Sequence, residues 1–213
     1  MSDLSVLYAT AASIGFFHTI LGVDHYLPFV ALQKARRWSL GKTLSFTFFC
    51  GLGHVFSSVI LGVIGIYFGM VLLRLELFEA FRGDMAAWAL LVFGFMYFVW
   101  GIRRAIVPKD HKHVHAQNPA GITPWVLFII FVLGPCEPLI PVLMYPAAKI
   151  NLMGLVGVTL VFCTVTIATM VSAVALLGCG VRMVVLHPFE KYSHALAGFA
   201  IFACGFLIKF AGI

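Results

Sequence analysis

The chain has 213 residues, of which 62% are hydrophobic and only 10% charged, with a formal net charge of +6 and a mean hydropathy of +1.05. A soluble domain carries about a quarter of its residues as charges, so a water-covered globule is excluded. Disorder and a disulfide-stapled miniprotein fall with it, and an integral membrane protein is what remains.

A helix needs about 20 apolar residues to cross the hydrocarbon, and six stretches qualify: Leu4–Leu32, Leu44–Leu73, Met85–Val107, Pro124–Ala148, Leu152–Val181 and Pro188–Ile213. Strict alternation of apolar and polar residues is absent, which speaks against a β-barrel. The first stretch does not read as a cleaved signal. Its leading residues Met1, Ser2 and Asp3 are acidic rather than basic, and it carries His18, Asp24 and His25. Ten of the fourteen Lys and Arg fall in loops around residues 34–42, 103–112 and 182–191; Arg74, Arg82, Lys149 and Lys209 fall on the other side. The richer side is expected to be cytoplasmic, with both termini outside. Basic residues scattered over three short loops point to the lipid bilayer as partner and not to nucleic acid. The five cysteines all lie inside the apolar stretches, an odd count that argues against structural disulfides. A second copy of the chain or an accessory protein stays open.

Three spans per half would invert the second half relative to the first, the plan of many transporters. Gly22-Val-Asp-His-Tyr-Leu-Pro-Phe in the first stretch can be laid on Gly134-Pro-Cys-Glu-Pro-Leu-Ile-Pro in the fourth, and the same offset carries His54 onto Thr166. The fold expected is all-α: six transmembrane helices as a 3+3 inverted repeat, the first helix of each half broken. Its units are residues 1–107, a connecting loop 108–122, and residues 123–213. Proline has no amide hydrogen, so in a helix Pro28 releases the carbonyl of Asp24, and Pro135, Pro138 and Pro141 release those of Phe131, Gly134 and Glu137. Such groups cannot face lipid. They must line a polar cavity or find another partner.

Ionisable residues at membrane depth are functional candidates by default, and here they are His18, Asp24, His25, His54 and Glu137, with Cys136 beside the last. His18 and His25 are seven apart and share a helix face with Gly22. Asp24 points elsewhere on an ideal helix unless the break swings it round. Three imidazoles and a carboxylate suit a first-row transition metal better than magnesium or calcium. A proton relay is the competing reading of the same groups. Cys136, Glu137 and Thr166 are expected as the opposing half of the site.

His18, Asp24 and His25, followed by Gly51-Leu-Gly-His54-Val, resemble the signature of the nickel/cobalt transporters and related UreH-type permeases, over about residues 15–65. The resemblance implies that His18, Asp24, His25 and His54 handle a transported nickel or cobalt ion, with zinc as a further option, in a bacterial or archaeal cytoplasmic membrane. The second half departs from that pattern. Gly134-Pro-Cys-Glu-Pro is similar to the cysteine helices of CcdA/DsbD membrane domains, electron carriers that need a cysteine in each half. Asp24 stands at the position matching Cys136, so a thiol relay lacks its partner. His111, His113 and His115 form a candidate metal-collecting loop, with a solvated basic loop as the plainer alternative. No tightly bound cofactor and no enzymatic activity are expected. Without an ATP-binding glycine loop, energy would come from an ion gradient or a partner. The rival functions are membrane thiol–disulfide transfer and export of a small anion such as sulfite. The anion reading would be helped by basic residues in the span interiors, where none is expected.

Overall fold

The computed structural model describes residues 3–69, 72–106, 122–136, 138–148, 152–183 and 187–211. Helices account for nearly all of them, and no strand occurs among the described residues. In chain order they are α1 (Asp3–Leu21), a 3-10 turn at Val23–His25, α2 (Leu27–Arg36), α3 (Leu40–Tyr67), α4 (Leu72–Ile106), α5 (Ile122–Leu133), α6 (Leu139–Ala148), α7 (Leu152–Met183), a second 3-10 turn at His187–Tyr192, and α8 (Ser193–Ala211). Five of these, α1, α3, α4, α7 and the segment containing α8, are long and apolar enough to cross a membrane. Large apolar side chains such as Phe17, Phe49, Phe56 and Trp125 point outward, each more than half exposed. A helical membrane protein buries its polar groups and offers this kind of surface to lipid.

The first and fourth apolar stretches are not continuous helices. The first breaks at Gly22, between α1 and α2, and Pro28 sits in the opening turn of α2. A proline is tolerated there because that turn has no use for its amide hydrogen. The fourth stretch is the pair α5 and α6, of 12 and 10 residues, each too short to span by itself. The break between them begins at Gly134 and Pro135.

The region after α3 differs from the sequence expectation. Arg74, Glu76, Glu79, Arg82 and Asp84 read as an outer connection between stretches ending at Leu73 and beginning at Met85. They are instead the first turns of α4, a helix of 35 residues. Leu75, Glu79 and Arg82 recur at helical spacing on its inward face. Leu75 is fully buried, and its methyl groups fill the place where a β-carbon on Gly65 would stand. Glu79 has a side chain only 1% exposed and pairs with Arg82 at 2.7 Å. Charges make this stretch look like loop by composition, but pairing with Arg82 lets the helix bury Glu79 while Arg74, Glu76 and Asp84 stay exposed.

Packing is organised by small residues. Gly94 and Gly101 of α4 press on the backbone of α8 at Phe202 and Ala195, and Gly198 and Gly205 of α8 press back on α4 at Phe98 and Leu91. A β-carbon at Gly94 would come within 2.3 Å of Phe202 N, so the two helices run in backbone contact. Elsewhere α1 lies along α7, α3 along both α5 and α7, and α2 along α8. Two apolar cores result. One gathers Phe29 and Leu32 of α2, Leu127 and Phe131 of α5, Met170 of α7 and Ile201 of α8. The other gathers Ala11 of α1, Val55 of α3, Leu139 and Leu143 of α6, and Phe162 of α7. The two helix breaks lie where one core gives way to the other.

Candidate metal centre

Gly22 ends α1, and the chain crosses to α2 through Val23–His25 instead of continuing the helix. The His25 ring folds back over this turn so closely that a β-carbon on Gly22 would lie 2.4 Å from His25 Nδ1. Only glycine leaves that space. The fold brings His25 beside His18, with ring centroids 4.9 Å apart. His54, fully inside α3, approaches both, at 5.0 Å from His25 and 6.4 Å from His18. One nitrogen from each of the three rings lies within 4.8 Å of the other two. His25 and His54 are buried and His18 partly so. Among the described residues these three are the His, Cys, Asp and Glu side chains grouped closely enough to share an ion.

Each buried ring is oriented from behind. His25 Nδ1 lies 3.1 Å from Gly22 O and 3.2 Å from Asp24 Oδ1, so it carries the proton and donates to both. His54 Nδ1 lies 3.3 Å from Phe131 O and donates likewise. Both carbonyls lie at helix breaks; Pro135 offers Phe131 O no amide hydrogen, and besides His54 that carbonyl accepts from Gly134 N at 3.2 Å. The tautomer so set leaves Nε2 with a lone pair, and in both rings Nε2 is buried without a hydrogen-bond partner. A buried unsatisfied acceptor costs about 1–3 kcal/mol. Rings held by Nδ1 with Nε2 unmet are arranged as metal-ligating histidines commonly are. Asp24 thus holds His25 through Nδ1 while lining the same cavity as the three rings.

The remaining expected site residues divide. Cys136 is buried, and its Sγ lies 3.9 Å from His18 Nε2, beside the cluster without joining the close trio. Thr166 is buried, but its hydroxyl faces α1, 3.0 Å from where a β-carbon on Gly15 would stand, and it does not line the cavity at the histidines. Its repeat match to His54 does not carry over to the site. Glu137 and the loop histidines His111, His113 and His115 lie outside the described residues. His194 sits apart, its Nδ1 2.9 Å from the Tyr97 hydroxyl.

Sequence reasoning missed Arg82. Its guanidinium bonds Glu79 Oε1 at 2.7 Å, Ser57 Oγ at 2.7 Å and Val132 O at 2.8 Å. Val132 O is a last-turn carbonyl of α5, so Arg82 caps the break from the side. Ser58 Oγ accepts from Cys136 N at 3.2 Å, and Leu139 N reaches Cys136 O at 2.9 Å. Several backbone groups at the break are thus met by α3, α4 and the break itself. The signal available in the sequence was the Glu79–Arg82 spacing of three, which pairs opposite charges on one helix face. Arg82 corrects the expectation that no basic residue enters the interior. It is paired with Glu79 and is not among the residues lining the cavity at the histidines.

A cavity of about 740 Å³ reaches the cluster. His18, Asp24, His25 and His54 line one part; the α5 break at Phe131, Gly134 and Pro135 lines another. Asp84 of α4 and Lys209 of α8 also line it. The five cysteines are free thiols, Cys50, Cys136 and Cys204 buried, Cys163 partly so and Cys179 exposed. No protein-family model, curated protein or solved structure matches this chain.

Proposed function

We propose that this protein is a membrane transporter for a divalent transition-metal cation, with the Nε2 atoms of the histidine cluster as its donors. The observation that carries the reading is the convergence of His18, His25 and His54 with two buried imidazole lone pairs left unmet. Metal–nitrogen bonds of about 2.1 Å set tetrahedral donors about 3.4 Å apart, so the rings would draw in by roughly an ångström around an ion. Imidazole donors suit nickel, cobalt and zinc, and the resemblance of residues 15–65 favours the first two. Neutral imidazole is required, so binding releases protons and weakens in acid.

The 3+3 inverted repeat is part of the same proposal. Leu133 follows Leu21, Leu139 follows Leu27 and Leu152 follows Leu40 at one interval of 112 residues, and these are the ends and starts of corresponding helices. The pairings are reciprocal as well: α1 packs on α7 as α5 does on α3, and α2 on α8 as α6 on α4. Paired broken helices meeting at mid-depth are where transporter sites form. Rocking of one half against the other would shift Phe131 O relative to His54 and so couple the movement to the grip on the ion.

The test is equilibrium binding of nickel, cobalt and zinc to purified protein in detergent, alongside His18→Ala and His54→Ala. Stoichiometric binding that either substitution weakens by at least tenfold supports the reading. Wild-type affinity in both variants, or no binding by the wild type, removes it.

A further inference from the structure

The cavity that reaches the three histidines carries three permanently charged side chains among its lining residues: Asp24 beside His25, and Asp84 with Lys209. Between them the lining is apolar or glycine, with Leu21, Ala80, Gly83, Ala87, Leu90 and Ile208. Asp84 and Lys209 form an ion pair. The Asp84 side chain is 48% exposed, which puts the pair at the outer end of the cavity. Asp24, at 29%, lies at the histidine end. Among the described residues, a cation moving inward therefore meets a carboxylate at each end and, besides these, the Lys209 ammonium.

Lys209 has a second place to rest. Its Nζ stands 5.6 Å from the centroid of the Trp88 ring, one turn along α4 from Asp84. A lysine is a compact charge on a flexible four-carbon stem, and an indole face holds an ammonium by its quadrupole. Exchange of partner, from the carboxylate to the ring, would keep Lys209 satisfied while Asp84 is taken by another cation.

We infer that Asp84 is an outer binding position for the incoming divalent cation, and that Lys209 is a resident counter-charge the cation must displace before it passes to the histidines. Asp84 supplies a single carboxylate with room for water around it, so the ion arrives still partly hydrated and sheds water at the imidazoles. Lys209 raises the threshold. A monovalent ion carries only the charge it would replace, whereas a divalent ion gains by the exchange. This inference rests on the transport reading and deepens it. The two can fail separately.

The test uses the full chain in proteoliposomes, reading initial rates of cobalt uptake, and the same proteins in detergent, reading equilibrium cobalt binding at the histidines. Asp84→Asn is expected to raise the KM for cobalt about tenfold, the low end of the range by which charged clefts concentrate a ligand, with maximal rate and detergent affinity within twofold of wild type. Lys209→Gln is expected to lower KM about threefold and to let sodium compete more strongly. Asp84→Glu should keep the wild-type KM. If the pair merely ties α4 to α8, Asp84→Asn and Lys209→Gln will move KM in the same direction, or lower thermal stability together and leave KM alone. Either result overturns the inference with the transport reading intact. Absence of cobalt binding by the wild type would instead remove the reading beneath it.

Discussion

Asp24 is the residue whose role changes most between chain and fold. On a straight helix it would face away from His18 and His25, and it enters the site only because the chain leaves the helix at Gly22. Its carboxylate then lies on His25 Nδ1 and fixes the tautomer and orientation of the ring. Removal of such a partner typically weakens metal affinity 10–100-fold. Asp24→Asn is expected to fall in that range by competition titration while retaining one ion per chain; unchanged affinity would show that Gly22 O alone orients the ring. The pH response follows from the same chemistry. An imidazolium has no lone pair to give, so affinity should fall as the pH is lowered and the rings take up protons. Titration at pH 7.5 and 5.5 checks the sign, and tighter binding at the lower pH would argue against imidazole ligation.

At the scale of elements, the break between α5 and α6 is held open by groups from α3 and α4. Arg82 is central, bonding Glu79, Ser57 and Val132 O at once. Arg82→Ala would take the guanidinium away from the Glu79 carboxylate, which is 1% exposed. Loss of one partner of a buried pair costs about 3–5 kcal/mol, and the low end applies because Arg82 itself keeps 19% exposure. Thermal unfolding in detergent should fall accordingly. Arg82→Lys should recover only part of that, since a point ammonium does not reproduce the planar fork that meets three acceptors. The neighbouring contact matters too: a β-carbon on Gly83 would stand 2.7 Å from Pro135 Cγ, so α4 presses on the break at the very proline that frees Phe131 O for His54.

At the scale of the whole molecule, α4 and α8 share a seam with no room for side chains at its four glycines. Alanine at Gly94 would place a β-carbon against the backbone of Phe202, which cannot yield as a side-chain tip can. Overpacking of this kind costs about 1–3 kcal/mol. Gly94→Ala should therefore lower the unfolding midpoint. Gly180→Ala in α7, where nothing lies within 4 Å of the added carbon, should be neutral or stabilising through helix propensity. Equal effects at the two positions would mean that the seam is looser than its backbone contacts imply. The ends of this helix pair also place charges consistently. Arg37 pairs with Glu190 just before α8 begins, and Lys209 pairs with Asp84 near where α8 stops. Arg37 and Glu190, from two of the regions that charge counting groups on one side, therefore meet.

Much of this architecture was legible along the chain because its causes are local. Apolar stretches of spanning length, glycine and proline at residues 22–28 and 134–141, and histidines spaced by two turns all act over a few residues. They predicted the helical membrane class, the two interrupted helices and the identities of the three clustered histidines. What the chain alone could not decide were matters of partnership. The stretch 74–84 reads as a polar connection until Arg82 is seen meeting the Val132 carbonyl at the α5 break 50 residues away. Thr166 matches His54 by interval, but its helix turns the hydroxyl toward Gly15. Asp24 became the support of His25, and Asp84 and Lys209 became neighbours across 125 residues. Local composition governs whether a segment is helical and where it breaks. Only packing among distant segments decides which polar groups meet, because burial makes each of them depend on a partner from elsewhere in the fold.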